Sequence, residues 1–212
     1  MVKMVKLLQA SLLSFLFLGG CGQQETNQVQ ADLPVDKTSV AAGTGNSVTM
    51  QGGALPLIGS GAVEVGKPLP TALLSSLDLQ SVEIGELKGK VRIISVVPSL
   101  DTPTCDRQTH ALSEDNDGLD QQVELVSISM DLPFAQARFA KEAKIDNVTF
   151  LSDYKYRQFG NNNGLLIEPL ALLARAVIVT DGENIVRYLQ VVPDVAALPD
   201  MPAAMEAARS LL

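Results

Sequence analysis

The chain of 212 residues contains no tryptophan, one histidine and two cysteines, and only 4% of it is aromatic. Two cysteines cannot build the multi-bridge framework of a small secreted scaffold. One histidine with two cysteines cannot close a four-ligand zinc site without carboxylates. Cations are scarce too, with 16 Lys and Arg against 24 Asp and Glu and a net charge of −8. An extended nucleic-acid interface draws on clustered Lys and Arg, so no nucleic-acid partner is expected. What the chain does have is 46% hydrophobic and 19% charged residues. That composition excludes a disordered or collagen-like chain and supplies one core.

Lys3 and Lys6 precede an apolar stretch over residues 7–18, interrupted only by Gln9, Ala10, Ser11 and Ser14. The stretch matches a signal h-region and is shorter than the roughly 20 residues that span a bilayer. It ends in Leu18-Gly19-Gly20-Cys21, which resembles the bacterial lipoprotein box, where the cysteine is acylated and becomes the new N-terminus. The resemblance implies that residues 1–20 are a cleaved lipoprotein signal peptide and that Cys21 is the lipidation site. The protein is then exported and held to the membrane by a lipid anchor, multiply acylated because one chain binds only marginally. Gly22 in place of Asp favours the periplasmic face of the outer membrane in a two-membrane bacterium. Removing residues 1–20 takes away Lys3 and Lys6 and no acid, which deepens the charge from −8 to −10. The domain surface itself therefore has no attraction for anionic lipid. Residues 21–45, polar and without a sustained period, read as the lipidated cysteine and a flexible tether reaching some 25–30 Å. The folded domain is expected over residues 46–212.

Within that domain, residues 47–51 and 54–58 flank Gly52-Gly53 and predict a hairpin. Short strands are expected at 71–75 and 81–84. The β-branched run 91–97 predicts a central buried strand that stops at Pro98. A helix from Pro103 to about Gly118, a strand at 123–129 and a helix at 133–144 follow. The remaining expectations are a strand at 148–151, a short helix at 154–159 and a loop at 160–164. Two strands, 174–180 and 184–192, then join through Asp181-Gly182, and a helix at 203–212 closes the chain. This order predicts an α/β fold, a thioredoxin-like sandwich around a mixed central sheet.

Chemistry concentrates after the buried strand. In Pro98-Ser99-Leu100-Asp101-Thr102-Pro103-Thr104-Cys105, Thr102 suits a helix cap, Pro103 the first helical position, and Cys105 falls in the first turn. A thiol there sits on the positive end of a helix dipole, which favours the reactive thiolate. Position alone also fits an inert core cysteine.

Pro98, Thr102 and Cys105 form the Pro-x-x-x-Thr-x-x-Cys pattern that resembles the peroxiredoxin active site, and most closely that of the bacterial thiol peroxidases. Asp131-Leu132-Pro133-Phe134-Ala135-Gln136 and Leu173-Ala174-Arg175-Ala176-Val177 resemble later segments of the same subgroup. The Gly52-Gly53 hairpin resembles its extra N-terminal β-hairpin. The resemblance implies a peroxidatic nucleophile at Cys105 that attacks hydrogen peroxide or a small organic hydroperoxide and becomes a sulfenic acid. It further implies that Arg175 favours the thiolate and stabilises charge on the departing oxygen, that Thr102 hydrogen-bonds thiolate and peroxide, and that Pro98 shields the pocket. Backbone N–H groups of Thr104 and Cys105 are candidate further donors. No cofactor and no metal are implied, and the subgroup's habit of pairing through the active-site face implies a homodimer.

The chain departs from the subgroup at Ala140, which occupies the place of the usual resolving cysteine. The expected cycle therefore uses one cysteine, with an external thiol or a thioredoxin-like reductant restoring the thiol. Asp106 puts an anion beside the nucleophile. His110 stands where the subgroup often has Arg and points roughly 140° around the helix from Cys105, away from general-base work. Asp115, Asp117, Gly118 and Glu124 are spaced like parts of a calcium loop, but Ser113 fills its first position, so a polar helix end is the reading. The rival to the enzyme is a noncatalytic thioredoxin-fold scaffold or a redox-sensing lipoprotein.

Overall fold

The computed structural model describes residues 33–86 and 89–212. Its first elements are β1 (Ser47–Met50), β2 (Gly53–Ile58), β3 (Leu73–Ser76) and β4 (Ser81–Glu83). β5 (Arg92–Val96), α1 (Pro103–Glu114), β6 (Glu124–Ser129), α2 (Pro133–Ala143) and β7 (Thr149–Ser152) follow. The chain continues through α3 (Gln158–Asn163), β8 (Leu166–Ile167), β9 (Leu172–Leu173), β10 (Ala176–Thr180), β11 (Val186–Val191) and α4 (Met201–Arg209). Among the described residues no helix is long and apolar enough to cross a membrane.

Seven strands form one mixed sheet in the order β11-β10-β5-β6-β7-β3-β4. β5, β6 and β7 run parallel, with α1 and α2 as their crossovers, and β10 and β3 flank them antiparallel. All five residues of β5 are buried, as expected of a central strand covered on both faces. Because side chains alternate across a strand, Ile93 and Val97 join one apolar cluster with Leu112 of α1, Ala140 of α2 and Ala204 of α4. Ile94 and Val96 join a second cluster with Val48, Leu57, Phe159, Ile167 and Leu173. The second face is covered by a separate four-stranded sheet, β1-β2-β8-β9. α1, α2 and α4 thus lie on the face that will carry the chemistry, and the small sheet lies on the other together with Phe159 of α3. The mixed α/β sandwich with its N-terminal hairpin is the architecture that the element order predicts.

Several local expectations are corrected. The hairpin turn is Gln51-Gly52 rather than Gly52-Gly53: both residues have positive φ, 52° and 78°, as a type I′ turn requires, and Gly53 pairs with Met50. The expected helix at 154–159 and loop at 160–164 are displaced, since α3 spans Gln158–Asn163. Gly and Asn are poor helix formers, but the Asp153 carboxylate accepts the Phe159 and Gly160 N–H groups at 3.0 and 2.9 Å and fixes the first turn. A side chain at Gly160 would meet Leu173 at 2.6 Å, so glycine permits α3 to lie against β9. α1 ends at Glu114, before Gly118. Asp181 does not open a two-residue turn: its carboxylate accepts the Glu183 and Ile185 N–H groups, both at 2.9 Å, and shapes a longer loop.

The tether expected to run to residue 45 is corrected over its second half. Val35 bridges to Leu198, Asp36 N–H donates to Leu198 C=O at 2.9 Å, and Val40 N–H donates to Val191 C=O at 3.0 Å. The Gln190 amide donates to the Asp36 and Thr38 carbonyls, and Ala42 is in the core. Polar composition hid this arm because its own backbone, rather than a hydrophobic stripe, makes the attachment. The signal peptide, Cys21 and residues 22–32 of the tether lie outside the described residues.

Candidate active site

β5 delivers the chain to the edge of the helical face. Val97 N–H donates to Ile128 C=O at 3.0 Å as the last sheet-like contact, and Pro98, buried, ends the strand because it has no N–H to donate. The loop then turns into α1 with Pro103 at its start, where the lost donor costs nothing. Cys105, Gln108, Thr109 and Leu112 are the buried residues of α1, one stripe at helical spacing. Cys105 thus lies in the first turn of α1 on its buried stripe.

Arg175 comes from just before β10, the strand beside β5. β10 pairs antiparallel with β5 so that Ala176 faces Val96, which carries the preceding residue to the end of β5 where the Cys105 loop begins. Arg175 is 1% exposed and Cys105 is fully buried. Arg175 Nη2 donates to Cys105 Sγ at 3.4 Å and to Val195 C=O at 2.8 Å, and Nε donates to the same carbonyl at 3.1 Å. Nη1 donates to Gln108 Oε1 at 2.6 Å. The guanidinium is thus held by two fixed acceptors while one N–H points at sulfur. A cation at this distance in a dry site stabilises negative charge on sulfur or on an adjacent oxygen far more than it would in water.

Gln108 was not anticipated from the sequence. It is fully buried, and its amide donates to Ser95 Oγ at 2.7 Å while its carbonyl holds Arg175. Two sequence signals mark it: a polar residue three positions after Cys105 on the apolar stripe of α1, and a serine in the middle of a β-branched strand. Buried polar groups need partners, and these are partners of each other.

Thr102 is not brought to the sulfur. It is exposed, takes the N-cap position with extended backbone, and its hydroxyl donates to Ser99 C=O at 3.2 Å. The expected hydrogen bond from Thr102 to Cys105 is therefore absent, because the hydroxyl closes the loop behind it. Its side chain does not cap α1, so the Thr104 and Cys105 N–H groups, which have no acceptor within the helix, stay available for a ligand.

Asp106 and His110 resolve together. His110 lies between Asp106 and Glu114, at 3.6 Å from the first and 2.6 Å from the second. The Asp106 carboxylate is thereby engaged by the outer face of α1, and among the described residues half-buried His110 makes its polar contacts with Asp106 and Glu114 rather than with Cys105. Asp117 pairs with Arg209 at 3.2 Å. Ala140 is buried in the same apolar cluster as Cys105. Among the described residues Cys105 is the one cysteine, and it is a free thiol. No group of three or more metal-ligating side chains occurs among the described residues.

Comparison with known proteins places these features in context. The Redoxin family model matches residues 64–206. The thiol peroxidase of Halalkalibacterium halodurans is 42% identical over 166 residues, which cover 78% of this chain and 99% of that protein. The thiol peroxidase of Staphylococcus saprophyticus is 40% identical over 164 residues, 77% of this chain and 98% of that protein. Among solved structures, a peroxiredoxin-like protein from Aquifex aeolicus superposes with a TM-score of 0.74 at 36% identity, covering 80% of this chain and 99% of that one. The thiol peroxidase from Chromobacterium violaceum has the same fold, with a TM-score of 0.68 at 23% identity over 77% of this chain and 95% of that one.

Proposed function

Because this chain belongs to the Redoxin family, and within it to the thiol peroxidases among the peroxiredoxins, we propose that it reduces hydrogen peroxide or small organic hydroperoxides at Cys105 in a single-cysteine cycle. The observation that carries the proposal is the buried Arg175 guanidinium at 3.4 Å from Cys105 Sγ, at the head of α1. In the first step the Cys105 thiolate attacks the terminal peroxide oxygen. An S–O bond forms as the O–O bond breaks, the alkoxide or hydroxide leaves and takes a proton, and the sulfur is left as sulfenic acid. Arg175 and the free N–H groups at the start of α1 stabilise the departing charge. Thr102, exposed one turn before Cys105, can exchange its bond to Ser99 for one to the substrate. Pro98, buried at the end of β5, keeps bulk water from that side. A fully buried sulfur favours a substrate of a few atoms.

Ala140 supplies no second sulfur, so an external thiol attacks the sulfenic sulfur, releases water and leaves a mixed disulfide, which a second thiol or a thioredoxin-like protein reduces. Exposed Leu132 and Phe134 at the start of α2 support pairing of two copies near the active site. The Leu18-Gly19-Gly20-Cys21 box supports a lipid anchor on Cys21 and a place on the periplasmic face of the outer membrane in a two-membrane bacterium.

Peroxide consumption by the purified protein with a small-thiol reductant is the test, comparing wild type with Cys105→Ser. The variant is expected to fall to the uncatalysed background; equal rates would defeat the proposal. Mass spectrometry of Cys105 after peroxide should show a trappable sulfenic acid, and a quantitative Cys21–Cys105 disulfide would sink both the lipidation and the single-cysteine cycle.

A further inference from the structure

The segment between β5 and α1 carries the approach to Cys105, yet few groups hold it. Among the described residues, residues 98–102 make two side-chain or backbone hydrogen bonds beyond the segment and α1, and both go to Asp131. Ser99 Oγ donates to Asp131 Oδ1 and Leu100 N–H donates to Asp131 Oδ2, each at 2.7 Å. The other bonds are internal: Asp101 N–H to Ser99 Oγ at 3.3 Å and Thr102 Oγ1 to Ser99 C=O at 3.2 Å. Thr102 C=O then accepts the Asp106 N–H at 2.9 Å and opens α1. A continuous chain therefore runs from the Asp131 carboxylate through Ser99 and Thr102 to the helix turn that bears Cys105. Leu100, nearly buried, packs in the apolar cluster that contains Cys105.

Asp131 is itself anchored. Its N–H donates to Ser129 Oγ at 3.3 Å and its C=O accepts the Ser152 hydroxyl. Ser129 Oγ also receives the buried Gln136 amide at 2.9 Å, and that amide donates further to Leu151 C=O. The carboxylate thus stands on the ends of β6 and β7, while Arg175 stands on the end of β10. Charge-assisted bonds to both carboxylate oxygens fix direction as well as distance, and misplacing a reacting group by about 1 Å can lower a rate by roughly a hundredfold.

We propose that Asp131 is a positioning residue for the peroxidase reaction, holding the segment 98–102 and the first turn of α1 in the orientation that aligns a peroxide between Cys105 and Arg175. This rests on the peroxidase reading above. Asp131→Ala is expected to slow the second-order oxidation of Cys105 by hydrogen peroxide about ten- to a hundredfold, while the rate of Cys105 alkylation by iodoacetamide, which needs the thiolate but no aligned O–O bond, falls much less. Ser99→Ala, which removes one arm, should lose less, and the double variant should be no slower than Asp131→Ala because both act through one contact. Asp131→Asn should fall between, since its amide can still accept from Leu100 and donate to Ser99 Oγ. A peroxide rate within twofold of wild type in Asp131→Ala, or parallel losses toward peroxide and iodoacetamide, would overturn the inference. Should Asp131→Ala not fold, an unchanged Ser99→Ala rate overturns it equally. A wild-type protein inert to peroxide would overturn the peroxidase reading and this inference with it, an outcome distinct from a fast wild type and an equally fast variant.

Discussion

Two arginines are buried at opposite ends of the same strand pair, and they do different work. Arg92 opens β5 and faces Thr180 in β10; Arg175 precedes β10 at the other end, beside Val96. Each is 1% exposed. Arg92 donates to Ile84 C=O at 3.0 Å and to the Asn184 side chain, groups that cannot react. Arg175 is held as firmly, by Val195 C=O and Gln108, but has one N–H left over for Cys105 Sγ. Burial lowers the pKa of Arg92, partly countered by the nearby Glu124 carboxylate, so its charge is costly to bury and is retained for the contacts it joins. A buried guanidinium therefore marks function only through what lies at its free end.

The comparison breaks most sharply at Arg175. Arg175→Gln should lower the second-order rate with peroxide about 10²–10³-fold, the usual effect of removing one preorganised charge donor. Stopped-flow oxidation of Cys105 reads this directly, and a loss under threefold would remove Arg175 from the site. Arg92→Met should show the reverse pattern. Leaving the Ile84 carbonyl and the Asn184 amide without their donor costs about 2–3 kcal/mol of stability in denaturant unfolding, while the peroxide rate of the folded protein stays within about twofold of wild type. A large rate loss with unchanged stability would show that the two ends communicate.

The smallest effect lies in the loop that presents Asn184 to Arg92. Burial raises the Asp181 pKa, but the Ile185 N–H, Arg187 and the Glu183 N–H outweigh it, and the net shift is downward from 3.8. A carboxylate lowered on folding contributes stability above its unfolded pKa and loses it as pH falls through the folded value. Asp181→Asn should therefore cost about 0.5–1 kcal/mol near neutral pH. The difference from wild type should shrink as pH falls below 3.8 and vanish in stronger acid. A difference independent of pH would assign the effect to loop geometry rather than to charge. Asp153 runs the other way: burial raises its pKa against the N–H groups of Gly160, Phe159 and Gln158 and the charge of Arg157. Its contribution is thus most favourable in acid and declines as pH rises through the folded value.

The parts of the fold legible in the sequence are those whose signal is local and repeated. The β-branched run at β5, the Pro-led helices α1 and α2, and the hairpin carried by β10 and β11 all announce themselves within a few residues. α3 does not, because Gly160, Asn161, Asn162 and Asn163 oppose a helix and Asp153, outside the segment, supplies the bonds that permit one. β8 and β9, two residues each, are strands only because β2 lies beside β8 and β8 in turn pairs with β9. The arm at 33–45 reads as tether until its partners, near residue 190, are in place.

The site divides in the same way. By itself the sequence determined that a thiol stands in the first turn of a helix after a buried strand, since Pro98, Pro103 and the apolar run dictate that geometry locally. Which cation meets the thiol was decided by tertiary structure, because only the β5–β10 register carries residue 175 across 70 positions to Cys105. The direction of Thr102, the engagement of Asp106 by His110 and the grip of Gln108 on Arg175 were decided there too. A side chain's partner is set by the surface that folding brings against it, and no local pattern encodes that surface.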